Sequence, residues 1–300
     1  MRRLIAGFVI VFMAGCVKRW TKLIIILMIF LLSCEHWTEI DVKIHAPNWT
    51  SDNKVVFVKE VIYWRCERIP PIGAENAHIK KREFYLYEIN ADGTGLREIC
   101  LLWDRPAGGI GCLSSAGDWI VFSDNKYQEI WIIKRDGTGL KKVGHGINPD
   151  FSPDASQIVY EKPDSGIWIM NRDGTGDHCI VPDPDAKYPA WSPDDSLIAY
   201  RKFDGYIVTL NGDSVKRYAS LGIMDWGPKG SGLILTQDWY ATSIIINLYN
   251  DETDTLTFKG ASKWSPDGTH FIGYSGSWFV IKKDGTNKWY IKSKLEGGEK

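Results

Sequence analysis

The chain has 300 residues, 44% of them hydrophobic and 24% charged, a globular composition that excludes a disordered or fibrous chain. Its 36 basic residues nearly balance 37 acidic ones, so no overall field draws it to nucleic acid or to an anionic lipid surface. The 14 Trp and 29 Gly point to short aromatic-bearing strands joined by tight turns.

The first segment, residues 1–34, reads as an export signal. Leu4 to Ala14 and Leu23 to Leu32 are apolar runs with basic residues before them, each shorter than the roughly 18–20 residues of a spanning helix. The second run ends Leu31-Leu32-Ser33-Cys34 and resembles a bacterial lipobox, so Cys34 is the expected lipidation site and the first residue of the mature chain. The first run, ending at Cys16, is its rival. Initiation at Val17 would leave one signal in place of two, and residues 1–16 are therefore expected to be an artefact of the assigned start. The globular part is expected outside the cytoplasm, held to a membrane by its lipid, in the periplasm or at the cell surface. Residues 35–43 form a short linker or a clasp strand.

From residue 44 to residue 293 the chain repeats itself. Trp191-Ser192-Pro193-Asp194-Asp195, then Leu197 to Tyr200, is echoed by Phe151-Ser152-Pro153-Asp154-Ala155, then Gln157 to Tyr160, and by Trp264-Ser265-Pro266-Asp267-Gly268, then Phe271 and Ile272. Degenerate copies begin at Trp49, Leu113 and Trp226. The period is roughly forty residues, the size of a propeller blade, with the first interval stretched. Ile130 to Gly139 and Ile167 to Gly176 are a second matched element ending Asp-Gly-Thr-Gly. Tyr85 to Gly95 and Trp278 to Thr286 share the Asp-Gly-Thr, and Tyr206–Asp213 and Ile244–Asp251 are weaker versions. Proline fixes φ, aspartate bonds its own backbone and glycine accepts positive φ, so both motifs are tight turns between β-branched and aromatic strands. Asp-Gly-Thr-Gly lacks the alternating aspartates of a calcium loop and is read as a hairpin turn. Four strands per unit and six units predict an all-β fold, a six-bladed β-propeller of four-stranded antiparallel blades, ending in a polar tail at residues 294–300.

These units resemble the TolB-type propeller repeat, a WD-repeat-like element whose consensus runs close to Trp-Ser-Pro-Asp-Gly, Ile-Ala-Tyr, Ile-Tyr-Val-Met, Asp-Gly-Gly. The resemblance spans about residues 44–293. It implies fold far more than function, because the repeat serves periplasmic accessory proteins, surface lipoproteins and peptidase propeller domains alike. TolB itself carries an α/β domain ahead of its propeller, and only residues 35–43 separate Cys34 from the first unit here, so a Tol–Pal role does not follow. The Gly-x-Ser-x-Gly of a fused hydrolase is absent, and Gly273-Tyr274-Ser275-Gly276 is only a chance fragment of it.

With strands lettered A to D in each blade, the near-constant A–B and C–D turns fall on one face and the variable B–C and D–A loops on the other. Variable loops on a rigid scaffold are where recognition sits. The insertion in the first unit, roughly Lys59 to Glu83, is expected to be a long basic loop carrying Trp64, Arg65, Arg68 and His78. Trp103, Asp104 and Arg105, then Asp183, Asp185, Lys187 and Tyr188, and Asp238, Trp239 and Tyr240 are candidates on the same face, where aromatics beside charges can hold a sugar or a peptide. The residue before each repeat start should face the central channel: Asn48, Cys112, Asp150, Ala190, Asp225 and Lys263. A water-filled polar channel is the plainer reading of that set.

The six His are scattered without metal-ligand spacing, and no metal, no cofactor and no catalytic residue is assigned. Cys100 and Cys112 flank one D–A connection and are the most plausible disulfide pair, but free buried thiols are the favoured expectation, because a propeller closes by strand pairing without staples. The function expected is a non-catalytic envelope lipoprotein presenting a face to an envelope protein, a peptide or a glycan, without nucleic acid. A propeller-type lyase or hydrolase acting on polysaccharide, and a structural subunit of a surface assembly, stand as alternatives.

Overall fold

The computed structural model describes residues 36–69, 74–104, 108–219, 222–228, 232–236, 242–247 and 252–296. Cys34 with the whole export segment, Arg105, Trp239 and Tyr240 lie outside these residues, as do the side chains of Arg65, Arg68 and His78. Among the described residues 24 strands form six four-stranded antiparallel sheets, each built from four consecutive strands. The first holds β1 (His36–Trp49), β2 (Lys54–Ile69), β3 (Ala74–Asn90) and β4 (Arg97–Asp104), and the second β5 (Ile110–Ala116), β6 (Trp119–Asp124), β7 (Glu129–Lys134) and β8 (Lys141–His145). In the third are β9 (Ile147–Phe151), β10 (Gln157–Lys162), β11 (Gly166–Asn171) and β12 (His178–Val181), followed in the fourth by β13 (Lys187–Trp191), β14 (Leu197–Arg201), β15 (Gly205–Thr209) and β16 (Ser214–Tyr218). The last two comprise β17 (Gly222–Trp226), β18 (Leu233–Thr236), β19 (Thr242–Ile246) and β20 (Thr253–Lys259), then β21 (Ala261–Trp264), β22 (His270–Tyr274), β23 (Trp278–Lys282) and β24 (Trp289–Tyr290). A short helix, α1 (Ile291–Leu295), follows.

The fold is a β-propeller. Its compact unit comprises Val42–Val61 and Arg82–Lys300, and β5 through β24 lie wholly within it. A second unit takes in residues Met1–Asp41 and Ile62–Lys81. The insertion expected as a long loop is a correction: it is β-structure, with β2 of 16 residues and β3 of 17. The physical reason is legible in the residues: Val58, Val61, Ile62, Tyr63 and Trp64 are strand formers, with no turn residue among them to end the strand.

Both repeated motifs close their turns with side chains. In three A–B turns the serine hydroxyl donates to the aspartate two residues on, at 2.7 Å for Ser152, Ser192 and Ser265. The same hydroxyl accepts the first N–H of the next strand, from Gln157, Leu197 and His270, at 2.8–2.9 Å. Thr50 and Asp52 do this in the first sheet. In the C–D turns Asp92, Asp136, Asp173 and Asp284 each accept from the N–H and hydroxyl of the threonine two residues later, at 2.6–2.9 Å. The first of the carboxylate oxygens is thereby engaged within each turn.

Apolar clusters join neighbouring sheets. Val56, Phe84 and Trp103 meet Leu113 and Phe122; Val121 and Ile130 meet Phe151 and Tyr160; Val159 and Ile169 meet Trp191 and Tyr200. Ile207 and Tyr218 pack on Trp226, and Ile245 on Trp264 and Phe271. Phe57, Phe84, Phe122, Phe271 and Phe279 are fully buried, each stabilising the fold by roughly 1.5–3 kcal/mol. The last sheet also packs against the first, Ile272, Val280 and Ile291 meeting Trp49, Val55 and Phe57. Among the described residues β1 pairs within the first sheet, and the last sheet consists of β21 to β24 alone. β24 stops at Tyr290, and Ile291 opens α1 and is fully buried against the first sheet. Helix α1 runs to Leu295, so ordered structure extends past the expected start of the tail.

Candidate functional site

The innermost strands share an irregularity. In β5, β9, β13, β17 and β21 the register against the next strand slips just before the residue preceding the repeat start, which marks a bulge. Ala46, Asn148 and Tyr188 occupy matching positions with φ of 48°, 51° and 52°, and each precedes a proline. Proline has no N–H to lose at a bulge. The bulged segments line a cavity of about 480 Å³. Inner-strand residues (His45 on β1, and Cys112, Asn148 and Tyr188 near the starts of β5, β9 and β13), strand B ends (Glu161, Arg201) and Asn125 of a B–C turn contribute to it, which places it toward the B–C and D–A end of the propeller.

Inner polar groups tie each sheet to the next. The Asn48 amide donates to the Leu113 carbonyl (2.6 Å), and the Ser114 hydroxyl accepts the Phe151 N–H (3.3 Å). Asp150 accepts the Trp191 N–H (2.7 Å), the Ala190 carbonyl accepts the Trp226 indole N–H (2.9 Å), and Asp225 accepts the Trp264 N–H (2.8 Å). Each such bond contributes about 1 kcal/mol net, and more when the acceptor is charged. Lys263 closes the series with an ion pair to Asp225 at 3.2 Å. Burial pushes the Asp150 and Asp225 carboxyls up, and the Lys263 charge pulls both part of the way back. Burial works against the Lys263 ammonium, yet the charges of Asp225 and Asp150 more than reverse this and hold it above the ordinary lysine range.

Of the channel candidates, Cys112, Asp150, Ala190 and Lys263 line the cavity, and Asn48 and Asp225 serve the junctions just described. Cys100, Cys112 and Cys179 are free thiols, and burial raises the Cys112 thiol. Among the loop-face candidates Tyr188 lines the cavity and is 44% exposed. Asp104 is exposed at the end of β4, and Trp64 is half-buried on β2. Trp103 is a correction. It is buried in the layer between the first and second sheets, its ring 5.4 Å from Phe122 and 5.6 Å from Trp131. The reason is that β4 runs to Asp104, where a loop was expected, and pairs Trp103 with Phe84.

Sequence reasoning missed Glu161, Arg201 and Trp278. Glu161 is buried in the lining and accepts the Asn148 amide (2.7 Å) and the Tyr188 N–H (3.3 Å). A signal was present: Glu161 follows Tyr160 and Arg201 follows Tyr200 at the same repeat position, the end of strand B. His45, another lining residue, meets buried Glu60 at 2.7 Å, and Arg82 lies 3.5 Å from the same carboxylate.

No protein-family model and no curated protein matches the chain. Solved structures do. The chain is similar to the tricorn protease at 8% identity, covering 86% of this chain and 35% of that one, with a TM-score of 0.52. A chain of the mitotic checkpoint complex matches at 13% identity over 82% of this chain and 89% of its own, with a TM-score of 0.50. The oligogalacturonate lyase of Vibrio parahaemolyticus matches at 12% identity over 83% and 96%, with a TM-score of 0.47. At these identities the likeness is one of fold. The chain is thus a β-propeller protein whose inner strands enclose a cavity with charged lining.

Proposed function

We propose that this protein is a non-catalytic binding module of the cell envelope, a six-bladed TolB-like propeller tethered by a lipid on Cys34. Its ligand site is the cavity at the B–C and D–A end. One observation carries the binding role: the cavity's rim presents an exposed aromatic, Tyr188, held at positive φ, a conformation that costs a non-glycine residue free energy and gathers at ligand clamps. Its volume, about 480 Å³, lies within the range of small-ligand pockets. An envelope protein, a peptide or a glycan end is the class of partner. Trp64, Arg65, Arg68 and His78 of the insertion are proposed as a separate candidate contact, independent of the cavity.

The test is site-specific photo-crosslinking in living cells, with a benzophenone residue at position 188 or, as the control, at position 136 in a C–D turn. A distinct crosslinked species at 188 and none at 136 supports the cavity as the site. Identical patterns at the two positions sink it. The anchor is tested separately: labelling with an alkyne fatty acid should mark the wild type and not Cys34→Ala, and equal labelling removes Cys34 from the proposal.

A further inference from the structure

The charges around the cavity define what it can hold. Its carboxylates are already engaged: Asp150 by the Trp191 N–H, and Glu161 by the Asn148 amide and the Tyr188 N–H. Two cations are not. Lys187 and Arg201 are Cα partners across the β13–β14 pair, both line the cavity, and among the described residues neither forms an ion pair. Like charges directly opposite each other in an antiparallel pair are unfavourable. Such a pair at a cavity rim offers two charge-assisted donors to an incoming anion, one of them a guanidinium able to hold both oxygens of a carboxylate.

The rest of the lining selects among anions. Ile44, Pro47, Ile110, Ile147 and Trp278 give the cavity apolar walls. A phosphate brings no apolar body, and its second charge would meet Asp150 and Glu161. A sugar acid brings hydroxyl groups, whereas much of the inner polar set is committed to the junctions between sheets. We infer that the cavity recognises a carboxylate carried on an apolar body, the chemistry of a peptide's free C-terminus with an apolar last residue. Lys187 and Arg201 take the carboxylate, and the apolar walls take the side chain. This inference rests on the cavity being the ligand site.

Calorimetric titration of the full chain tests it with four probes: N-acetyl-Ala-Ala-Leu as the free acid, the same peptide as its C-terminal amide, glucuronate, and inorganic phosphate. The free acid should bind at least about tenfold more tightly than the amide, the loss expected on removing a charged hydrogen bond. The double variant Lys187→Gln/Arg201→Gln should abolish that difference without lowering the thermal midpoint. Equal affinity for acid and amide overturns the inference, as does an acid preference that survives in the variant. Tighter binding of glucuronate or phosphate overturns the choice of an apolar carboxylate. Binding of none of the four overturns it as well. In each of these cases crosslinking at position 188 still reports independently on whether the cavity is the site.

Discussion

At the turn end of the blades, polar side chains are absorbed by the fold; at the cavity end, some are left over. Four C–D turns engage their aspartates with a threonine two residues on, and three A–B turns link serine, aspartate and backbone. Beside those turns Glu88 is buried and gathers Arg135 at 2.5 Å, Lys54 at 3.1 Å and Arg97 at 3.4 Å. The B–C side carries Tyr127 and Phe203, 46% and 86% exposed, together with Lys187 and Arg201, which form no ion pair among the described residues. One repeat therefore has a structural end and an end free to vary. Groups of the first kind should affect stability when removed, and groups of the second should not.

The largest effect is expected at Glu88. Glu88→Ala strips the shared partner from three cations, of which Arg135 is only 17% exposed, and should cost about 3 kcal/mol in urea unfolding, less in high salt. A loss under 1 kcal/mol would place the cluster with ordinary surface ion pairs and weaken the contrast between the two ends. Next comes the inner ring. Asp225→Ala leaves the Trp264 N–H and Lys263 without their acceptor and should cost about 2 kcal/mol. Asp225→Asn, which keeps one acceptor, should cost less.

Acid sharpens the comparison. Hydrogen bonds from Ser152 and Ser156 hold Asp154 below the ordinary aspartate range, and those from Ser192 and Ser196 outweigh burial to do the same for Asp194. Burial raises Glu88, but its bonds to Arg135 and Lys54 more than reverse that and depress it. A carboxylate depressed in the fold contributes stability that is present above its unfolded pKa of about 4 and lost as pH falls through the folded value. Asp150 and Asp225 are raised by burial and carry the opposite sign, since stability falls as pH rises through their range. Unfolding followed from pH 5 to pH 2 should therefore show a loss that is smaller in Glu88→Gln than in the wild type. An identical acid profile would remove the cluster from acid stability.

How much of this was legible follows the same division. The structural end was readable because one local motif, serine-proline-aspartate or aspartate-glycine-threonine, sets a turn that depends on nothing distant. Asp150 and Lys263 could be named because each sits at a fixed offset from a repeat start, and Tyr188 because it is an aromatic beside charges in a segment that varies between repeats. Trp103 was misplaced because only the pairing of β4 with β3 decides whether it faces a loop or the inter-sheet layer. The long hairpin was misread because length alone was taken as a loop signal, while its strand-forming residues argued otherwise. Arg201 was invisible for a different reason. Its meaning comes from facing Lys187 across a bulged register, and a one-residue slip there changes which side chains meet.

That pair gives the smallest expected effect on stability and the one that bears most directly on the comparison. Lys187→Gln/Arg201→Gln removes two like charges that face each other and that no carboxylate among the described residues relieves. If the cavity end is free of structural duty, stability should stay the same or rise by about 0.2–0.5 kcal/mol, read as the urea midpoint at low salt. The gain should shrink at high salt, because screening already weakens the repulsion in the wild type. A loss above about 1 kcal/mol would assign the two cations to the fold, and the division between the two ends of the blades would then fail at its most specific point.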